Sequence, residues 1–291
     1  MDLRLTNKVA IVAGSSRGIG KAIASGLATE GCRVTLCARD ASGLEQAASE
    51  LRRTGAKVLA VAADVAKPED IARLVEETVL AFGRIDTLIN NAGGARTAGP
   101  FLETPDGAWQ AAVDLNVMAA VRLSRLVVPE MQKVGGGVII NISSVWGREA
   151  GGTATYNAVK AAEISLAKSL ARELAPINIR VNSVAPGSIL FPGGSWDRRM
   201  QADPLPARRG HVPAAPSPDL RHSLRVWTPR RCPVKAAAGF PGRNRSADER
   251  FFDAQVVGSV GAPPRARNSR ASRARRRDSS CWVMAPWKRT E

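Results

Sequence analysis

Tyr156 is the single tyrosine of the chain, and Lys160 follows it by four residues in the Ala-rich run Tyr156-Asn-Ala-Val-Lys160. Residues four apart share a helix face, so on a helix the ammonium stands beside the phenol and favours its ionised form. A phenol that releases its proton more readily can act as a general acid or base near neutral pH. Alone, the pair fits a solvated helix surface equally well. A second candidate lies early in the chain, where Gly14-Ser-Ser-Arg-Gly18-Ile-Gly20 follows the β-type run Lys8-Val-Ala-Ile-Val-Ala13 and precedes a helical pattern through Ile23 and Leu27. Strand, glycine turn and helix start in that order make an anion site, because free backbone N–H groups and the helix dipole point at a phosphate. The spacing is G-x-x-x-G-x-G and not the G-x-G-x-x-G dinucleotide fingerprint, so the turn alone is as readily a tight connection.

Strand-like and helical stretches alternate from residue 1 to residue 203. Strands are predicted at 8–13, 33–37, 57–62, 86–89, 137–142 and 178–184, and helices at 18–30, 41–54, 68–82, 107–133 and 155–175. This order predicts an α/β fold, a Rossmann-like doubly wound parallel sheet with helices on both faces. About 200 residues bury roughly 70% of their unfolded surface, enough to fold alone. The third helix is the best specified. Pro68 suits its first position, Glu69 and Asp70 favour its N-terminal dipole, and Ile71, Leu74, Val75, Val79 and Phe82 form one apolar stripe before Gly83. Ser42-Gly-Leu-Glu45 reads as a capping box that starts the second helix.

Gly14-x-x-x-Gly18-x-Gly20, Asn90-Asn91-Ala92-Gly93, Ser144 and Tyr156-x-x-x-Lys160, in this order and at these distances, resemble the short-chain dehydrogenase/reductase family. The likeness runs from about Val9 to about Asp203 and is nearest to 3-oxoacyl-(acyl carrier protein) reductase-like members. It implies an NAD(P)-dependent oxidoreductase that moves a hydride between nicotinamide and a ketone or secondary alcohol. It further implies that Gly14, Ser16, Arg17, Gly18, Ile19 and Gly20 hold the cofactor phosphates, Asp64 and Val65 the adenine, and Asn91, Ala92 and Gly93 the cofactor's central part. Ile189 would touch the cofactor through its backbone. In the same resemblance Ser144, with Ser143 as the neighbour that could be confused with it, hydrogen-bonds the substrate carbonyl. Tyr156 donates the proton, and Lys160 lowers the phenol's hold on it and binds ribose hydroxyls. Asn116, an Asn within a predicted helix, interrupts that helix and holds a water of the proton relay. Trp146, Glu149 and the segment Ser188–Trp196 are expected to border the substrate.

Charge favours NADP over NAD. Arg39 follows the second strand, where an acid would accept a ribose 2′-hydroxyl and an Arg suits a 2′-phosphate, and Arg17 adds a cation. Asp40 comes only after Arg39. The chain also departs from the family: Phe191 stands four residues beyond Gly187, where many members carry a Thr that contacts the nicotinamide amide.

The net charge of +16 is concentrated late in the chain. Residues 204–291 contain 19 Lys and Arg against 6 Asp and Glu, with 17 of the 19 being Arg, and 11 of the 18 prolines. A segment so composed predicts disorder, and none of the family's closing motifs occurs in it, so the last helix and strand are expected to be missing. Three origins stay open for it: out-of-frame translation of a GC-rich gene, a basic arm for nucleic acid with Trp227, Trp282 and Trp287 to stack on bases, or a fusion. The corresponding alternatives for function are an inactive, damaged reductase or a nucleic-acid binder. The Arg-over-Lys bias favours the first origin, and with it no nucleic-acid partner is expected.

Other classes are disfavoured on composition. Cys32, Cys37, Cys232 and Cys281 lack zinc-type spacing, and both histidines, His211 and His222, lie in the tail, so no metal is expected. No run approaches the ~20 apolar residues that span a bilayer, and the first residues lack a signal-peptide core, which makes the cytoplasm the default and a membrane partner unexpected. The expected partners are a small carbonyl or alcohol substrate and, from the family, further copies of the chain in a dimer or tetramer.

Overall fold

In the computed structural model, residues 3–94, 99–202 and 255–257 are described, and all of them belong to one unit, Met1–Val260. Seven strands, β1 (Val9–Ala13), β2 (Arg33–Ala38), β3 (Val58–Ala62), β4 (Thr87–Asn90), β5 (Gly137–Ile142), β6 (Ile179–Ala185) and β7 (Gln255–Val257), form one sheet in the order β3-β2-β1-β4-β5-β6-β7. The first six are parallel, with Ile11 opposite both Thr35 and Leu88. Helices α1 (Gly18–Thr29), α2 (Ala41–Arg52), α3 (Pro68–Phe82), α4 (Asp106–Val113), α5 (Ala119–Lys133), α6 (Ala154–Glu173) and α7 (Ser195–Ala202) complete the fold.

Parallel strands joined by helical crossovers are covered on both faces, and successive side chains of a strand point to opposite faces. In β1 all five residues are buried. Ile11 and Ala13 join Leu74, Leu123, Val127 and Met131 in one core, while Val12 joins Ala24, Leu36, Leu44 and Ile89 in the other. The predicted third helix forms as expected: Pro68 is at its start, and Gly83, at φ 76°, ends it by donating to the Val79 carbonyl. At the opposite end of the sheet from the crossover loops, Asp86 ties β1 to β4. Its carboxylate accepts from the Val9 N–H at 2.9 Å, from Lys8 at 3.1 Å and from both forks of Arg84 at 2.8 and 2.6 Å.

Two expectations need correction. The capping box does not form: α2 starts at Ala41, which places Ser42 inside the first turn, and Glu45 pairs with Arg52 and Ser49. The predicted helix at 107–133 is interrupted at Asn116, as the resemblance implies, by a π-helical turn at Asp114–Met118. The sheet also does not end bare at β6, because Gln255–Val257 pairs antiparallel with Ser183–Ala185. That short strand opposes the run of the other six. Apart from it, the expected disorder of residues 204–291 and their basic clusters lie outside the described residues.

Candidate active site

The strand order reverses between β1 and β4: β1 continues through α1 to β2 on one side and meets β4 on the other. Loops leaving the carboxyl ends of such a pair diverge, and the crevice between them is where open α/β sheets bind ligands. Here that crevice opens between the Gly14–Gly20 turn after β1 and Asn91–Gly94 after β4. It widens into a cleft of about 1080 Å³.

The glycine turn is built for close approach. Gly14 has φ +71°, and a Cβ at Gly20 would overlap the Gly14 carbonyl oxygen and come within 2.5 Å of Asn91 Nδ2. That Asn91 amide donates to the Ala13 and Gly14 carbonyls at 3.0 and 2.9 Å, so the β4 loop fixes the shape of the β1 turn. Gly14, Ser16, Arg17, Ile19 and Gly20 line the cleft, as do Asn91, Ala92, Gly93, Arg39, Asp64, Val65 and Ile189. Gly18 does not. The Phe191 ring covers it, 2.6 Å from where a Cβ would stand, and the same ring packs against Gly194. Arg17 reaches Gly193 O at 3.4 Å. Asp64 makes a local turn, its Oδ1 accepting from the Ala66 N–H at 3.1 Å.

Farther along the cleft, Ser144, Tyr156 and Lys160 face the same space. Thr153 starts α6 by accepting from the Tyr156 N–H at 3.3 Å, which sets the phenol on the first turn. Lys160 Nζ stands 5.8 Å from the Tyr156 ring centre, on the helix face that the spacing predicts. The two serines after β5 differ in their bonds. Ser143 donates to the Lys160 carbonyl at 2.6 Å, whereas Ser144 Oγ accepts from the Trp146 N–H at 3.2 Å. Asn116 does not line the cleft. It is 1% exposed, and its amide donates to the Ala112 and Gly94 carbonyls while accepting from the Gly94 N–H at 3.0 Å. Gly93 separates it from Lys160 Nζ, lying close to both. Trp146 and the segment from Ser188 to Trp196 border the cleft as expected, but Glu149 does not. The Glu149 side chain lies outside it, and its carbonyl accepts from Asn157.

A model of the family described as short chain dehydrogenase matches residues 8–199. The chain belongs to that family. It is therefore a nicotinamide-dependent oxidoreductase, and the cleft residues fit such a cofactor: bare glycine backbone at a helix start for phosphates, and a buried Lys on its floor. Human "Dehydrogenase/reductase SDR family member 4" is 41% identical over 186 residues, 64% of this chain and 67% of that protein. The 7alpha-hydroxysteroid dehydrogenase of Escherichia coli K12 is 37% identical over 190 residues, 65% of this chain and 74% of its own length. Among solved structures, L-sorbose reductase from Gluconobacter frateurii, complexed with NADPH and L-sorbose, aligns with TM-score 0.65 at 41% identity over 69% of this chain and 82% of that one. A 7 alpha-hydroxysteroid dehydrogenase complexed with NADH and 7-oxo glycochenodeoxycholic acid aligns with TM-score 0.63 at 37% identity, over 65% and 74%.

Spacing also missed two features of this short-chain dehydrogenase. One is Phe191 over Gly18, whose signal is two residues without side chains, Gly18 and Gly194, far apart in sequence. The other is Glu163, 2% exposed, whose carboxylate is bonded to Lys160. An acid three residues after a lysine on a helix was the available signal. Burial pushes its carboxyl up to about 7, against the opposing pull of the Lys160 charge and hydrogen bonds. Cys32 and Cys37 are buried and free, and burial raises their thiols to about 11 and about 12, so neither is a nucleophile at neutral pH.

Proposed function

We propose that this chain is an NADP-dependent carbonyl reductase or alcohol dehydrogenase acting on a ketone or secondary alcohol, with 3-oxoacyl thioesters as the substrate class. The observation that carries this reading is that Tyr156, Lys160 and Ser144 line one cleft whose other end is the glycine turn. The cofactor supplies or accepts the hydride at its nicotinamide.

The residues divide the remaining work. Ser144 Oγ donates to the substrate carbonyl oxygen, and the Tyr156 hydroxyl delivers a proton to that oxygen as it gains charge, each contributing on the order of 10²–10³ in rate. Lys160 keeps a positive charge beside the phenol and offers hydrogens to ribose hydroxyls. Asn116 holds the Gly93–Gly94 backbone against Lys160, and its remaining acceptor capacity serves the water that resupplies Tyr156. Ser16, Arg17, Ile19 and Gly20 offer backbone N–H groups to phosphate, while Gly14, whose N–H is donated to the Cys37 carbonyl, and Gly18, under the Phe191 ring, shape the turn. Asp64 and Val65 flank the adenine, Asn91, Ala92 and Gly93 line the middle, and Ile189 closes over the nicotinamide end.

Support for NADP comes from Arg39, which lines the cleft just after β2; Asp40 lines it too, but its carboxylate lies beside Gly43 at the start of α2. L-sorbose reductase, 41% identical, is complexed with NADPH and supports that choice, whereas the 37% identical 7 alpha-hydroxysteroid dehydrogenase is complexed with NADH. Titrating the chain with NADPH and NADH while following tryptophan fluorescence tests it, because Trp146 and Trp196 line the cleft. Saturable binding with NADPH the tighter is expected; tighter NADH would overturn the assignment. In turnover assays, Tyr156→Phe should lose about 10²–10⁴ of the rate and still bind the cofactor. Acetoacetyl thioester, L-sorbose and a 7-oxo bile acid form the substrate panel, and faster reduction of either of the last two would displace the thioester class.

We further propose that the catalytic domain is residues 1–203 and that residues 204–291 derive from out-of-frame translation, since the family match stops at residue 199 and 17 of the 19 later basic residues are Arg. Translating the other two frames of the gene after codon 203 tests this: a Gly-Arg-Pro-Glu-Glu-like turn and an Asp-Gly-Gly-like ending are expected, and their absence from both frames would refute it. A cytoplasmic site of action fits the unpaired buried thiols. No helix among the described residues is long and apolar enough to cross a membrane. The homo-oligomer that the family implies is checked by the mass in solution.

A further inference from the structure

Glu163 is the buried charge that neither the phosphate turn nor the proton donor uses. Its two carboxylate oxygens accept from Lys160 Nζ at 3.0 and 2.9 Å, and the Ile142 carbonyl accepts from the same nitrogen at 3.1 Å. Three acceptors thus surround the ammonium on the protein side, and both oxygens of the carboxylate draw on it. Both side chains are closed off from water, at 4% and 2% exposure. The groups that neighbouring elements bring beside this pair are neutral. Asn141 of β5 donates to the Glu163 carbonyl at 3.2 Å, Asn90 of β4 donates to Asn141 at 2.9 Å, and Ser143 donates to the Lys160 carbonyl. Lys160 is the charged group that acts on Glu163. A buried pair of this kind fixes geometry, because removing one partner strands the other in a medium that solvates it poorly.

We propose that Glu163 is a positioning residue that anchors the Lys160 ammonium beside Tyr156 and competes for it with the ribose hydroxyls of a bound dinucleotide. The inference rests on the proposed function in assigning those hydroxyls to Lys160, and it goes beyond that function in assigning the competitor. A carboxylate that holds the ammonium with both oxygens is a rival for any ribose oxygen that would accept from it. In Glu163→Gln the side-chain shape and one acceptor oxygen are kept, while the charge and the second acceptor are lost. A ribose hydroxyl then draws on the ammonium against a weaker rival. At the lower end of what a hydrogen bond to a charged group is worth, about 1.5 kcal/mol, the gain is roughly tenfold in affinity.

The test uses the full chain in two independent arms. In the first, the empty protein is treated with acetic anhydride and acetylation of each lysine is followed by peptide mass. Lys160, 4% exposed, is expected to react far more slowly than Lys133, 67% exposed, and E163Q should speed it several-fold, because the substitution removes one of the acceptors that hold Lys160 in place. Equal rates for Lys160 and Lys133 in the wild type, or no change in E163Q, overturns the anchor. In the second arm NADH and NADPH are titrated against wild type and E163Q. NADH is included because it lacks the 2′-phosphate, so a change common to both cofactors reads the ribose hydroxyls that they share. Tightening of both by about five- to tenfold supports the competition; unchanged or weaker binding by a folded E163Q refutes it, since a merely structural role would weaken binding. Should E163Q not fold, Glu163→Asp keeps the charge on a shorter arm and is expected to give intermediate acetylation and modest tightening, and wild-type rates for both overturn the proposal. A wild type that binds neither dinucleotide sinks the proposed function, while the acetylation arm still decides the anchor.

Discussion

Helix α1 contains two glycines, besides the one that begins it, whose replacement by alanine should have opposite effects. Gly26 has open space where a Cβ would go, so Gly26→Ala should gain the ~0.5–1 kcal/mol by which alanine exceeds glycine inside a helix. Gly20→Ala carries the same propensity gain but meets backbone. The new Cβ would stand 2.5 Å from Asn91 Nδ2 and 2.9 Å from the Gly14 carbonyl carbon, and would overlap the Gly14 oxygen, where ordinary contact is 3.4–4 Å. About 0.9 Å of separation must be found at the Asn91 amide alone. That amide cannot withdraw without releasing its two hydrogen bonds to Ala13 and Gly14. Overpacking of this kind costs about 1–3 kcal/mol, and loosening the two bonds adds about 1 kcal/mol each, so the net loss after the helix gain is about 2–4 kcal/mol. With a urea slope of about 2 kcal/mol per molar, the unfolding midpoint falls by roughly 1–2 M, while Gly26→Ala raises it by about 0.3–0.5 M. The same shift deforms the turn, so Gly20→Ala should also lose saturable binding of NADPH in the fluorescence titration. A Gly20→Ala protein with the wild-type midpoint and wild-type NADPH affinity would refute the steric argument.

Other perturbations follow from single contacts. Arg39→Asp should invert the NADPH-over-NADH preference by at least tenfold in the titration, because a carboxylate repels the 2′-phosphate and accepts a 2′-hydroxyl; an unchanged ratio would show that Arg39 does not read that group. Burial pushes the Asp86 carboxyl up, but the hydrogen bonds from Arg84, the Val9 N–H and Lys8 outweigh burial and hold it below the usual range. A depressed carboxyl contributes stability above its unfolded value, near 3.8, and loses it as pH falls through the lower folded value. Asp86→Asn should therefore cost about 1–3 kcal/mol in urea melts at pH 7 and progressively less below pH 4; a cost independent of pH would mean the charge is immaterial. Glu163 has the opposite sign. Raised from 4.5 to about 7, it stabilises fully below the unfolded value, and that contribution, about 3 kcal/mol, is lost as pH rises through 7. Melts at pH 5 and pH 8 should show this decline in the wild type but not in Glu163→Gln, and parallel declines would contradict it.

Much of this fold was legible because its signals are local. The α3 stripe, Pro68 and Gly83 act within a few residues of chain, and the helix formed with the expected bounds. The six parallel strands stand within one residue of their expected limits, since buried β-branched runs leave little choice of partner face. Where two local signals competed, the reading failed. Ser42 and Glu45 have the spacing of a capping box, but Asp40 already precedes the helix and Glu45 finds Arg52 two turns along the same face. An interruption at Asn116 was expected from the family resemblance alone, and its form as a π turn was not, because no helix period announces a residue inserted to satisfy the Gly94 backbone across a loop.

The sequence by itself determined the chemistry on offer: a phenol and an ammonium four residues apart, a serine at a strand end, and a glycine turn at a helix start. Each depends on spacing along one element, which covalent geometry fixes. What only the tertiary structure decided is what those groups face. Phe191 lies on Gly18 because β6 returns beside β5 and carries its loop across the turn of β1, which are far apart in sequence. Glu163 became the partner of Lys160, and not a surface acid, because α6 is packed against β5 and β6 on the face that carries both residues. Burial removes water as an alternative partner, and with water gone each buried hydrogen of that ammonium must find an acceptor in the protein itself.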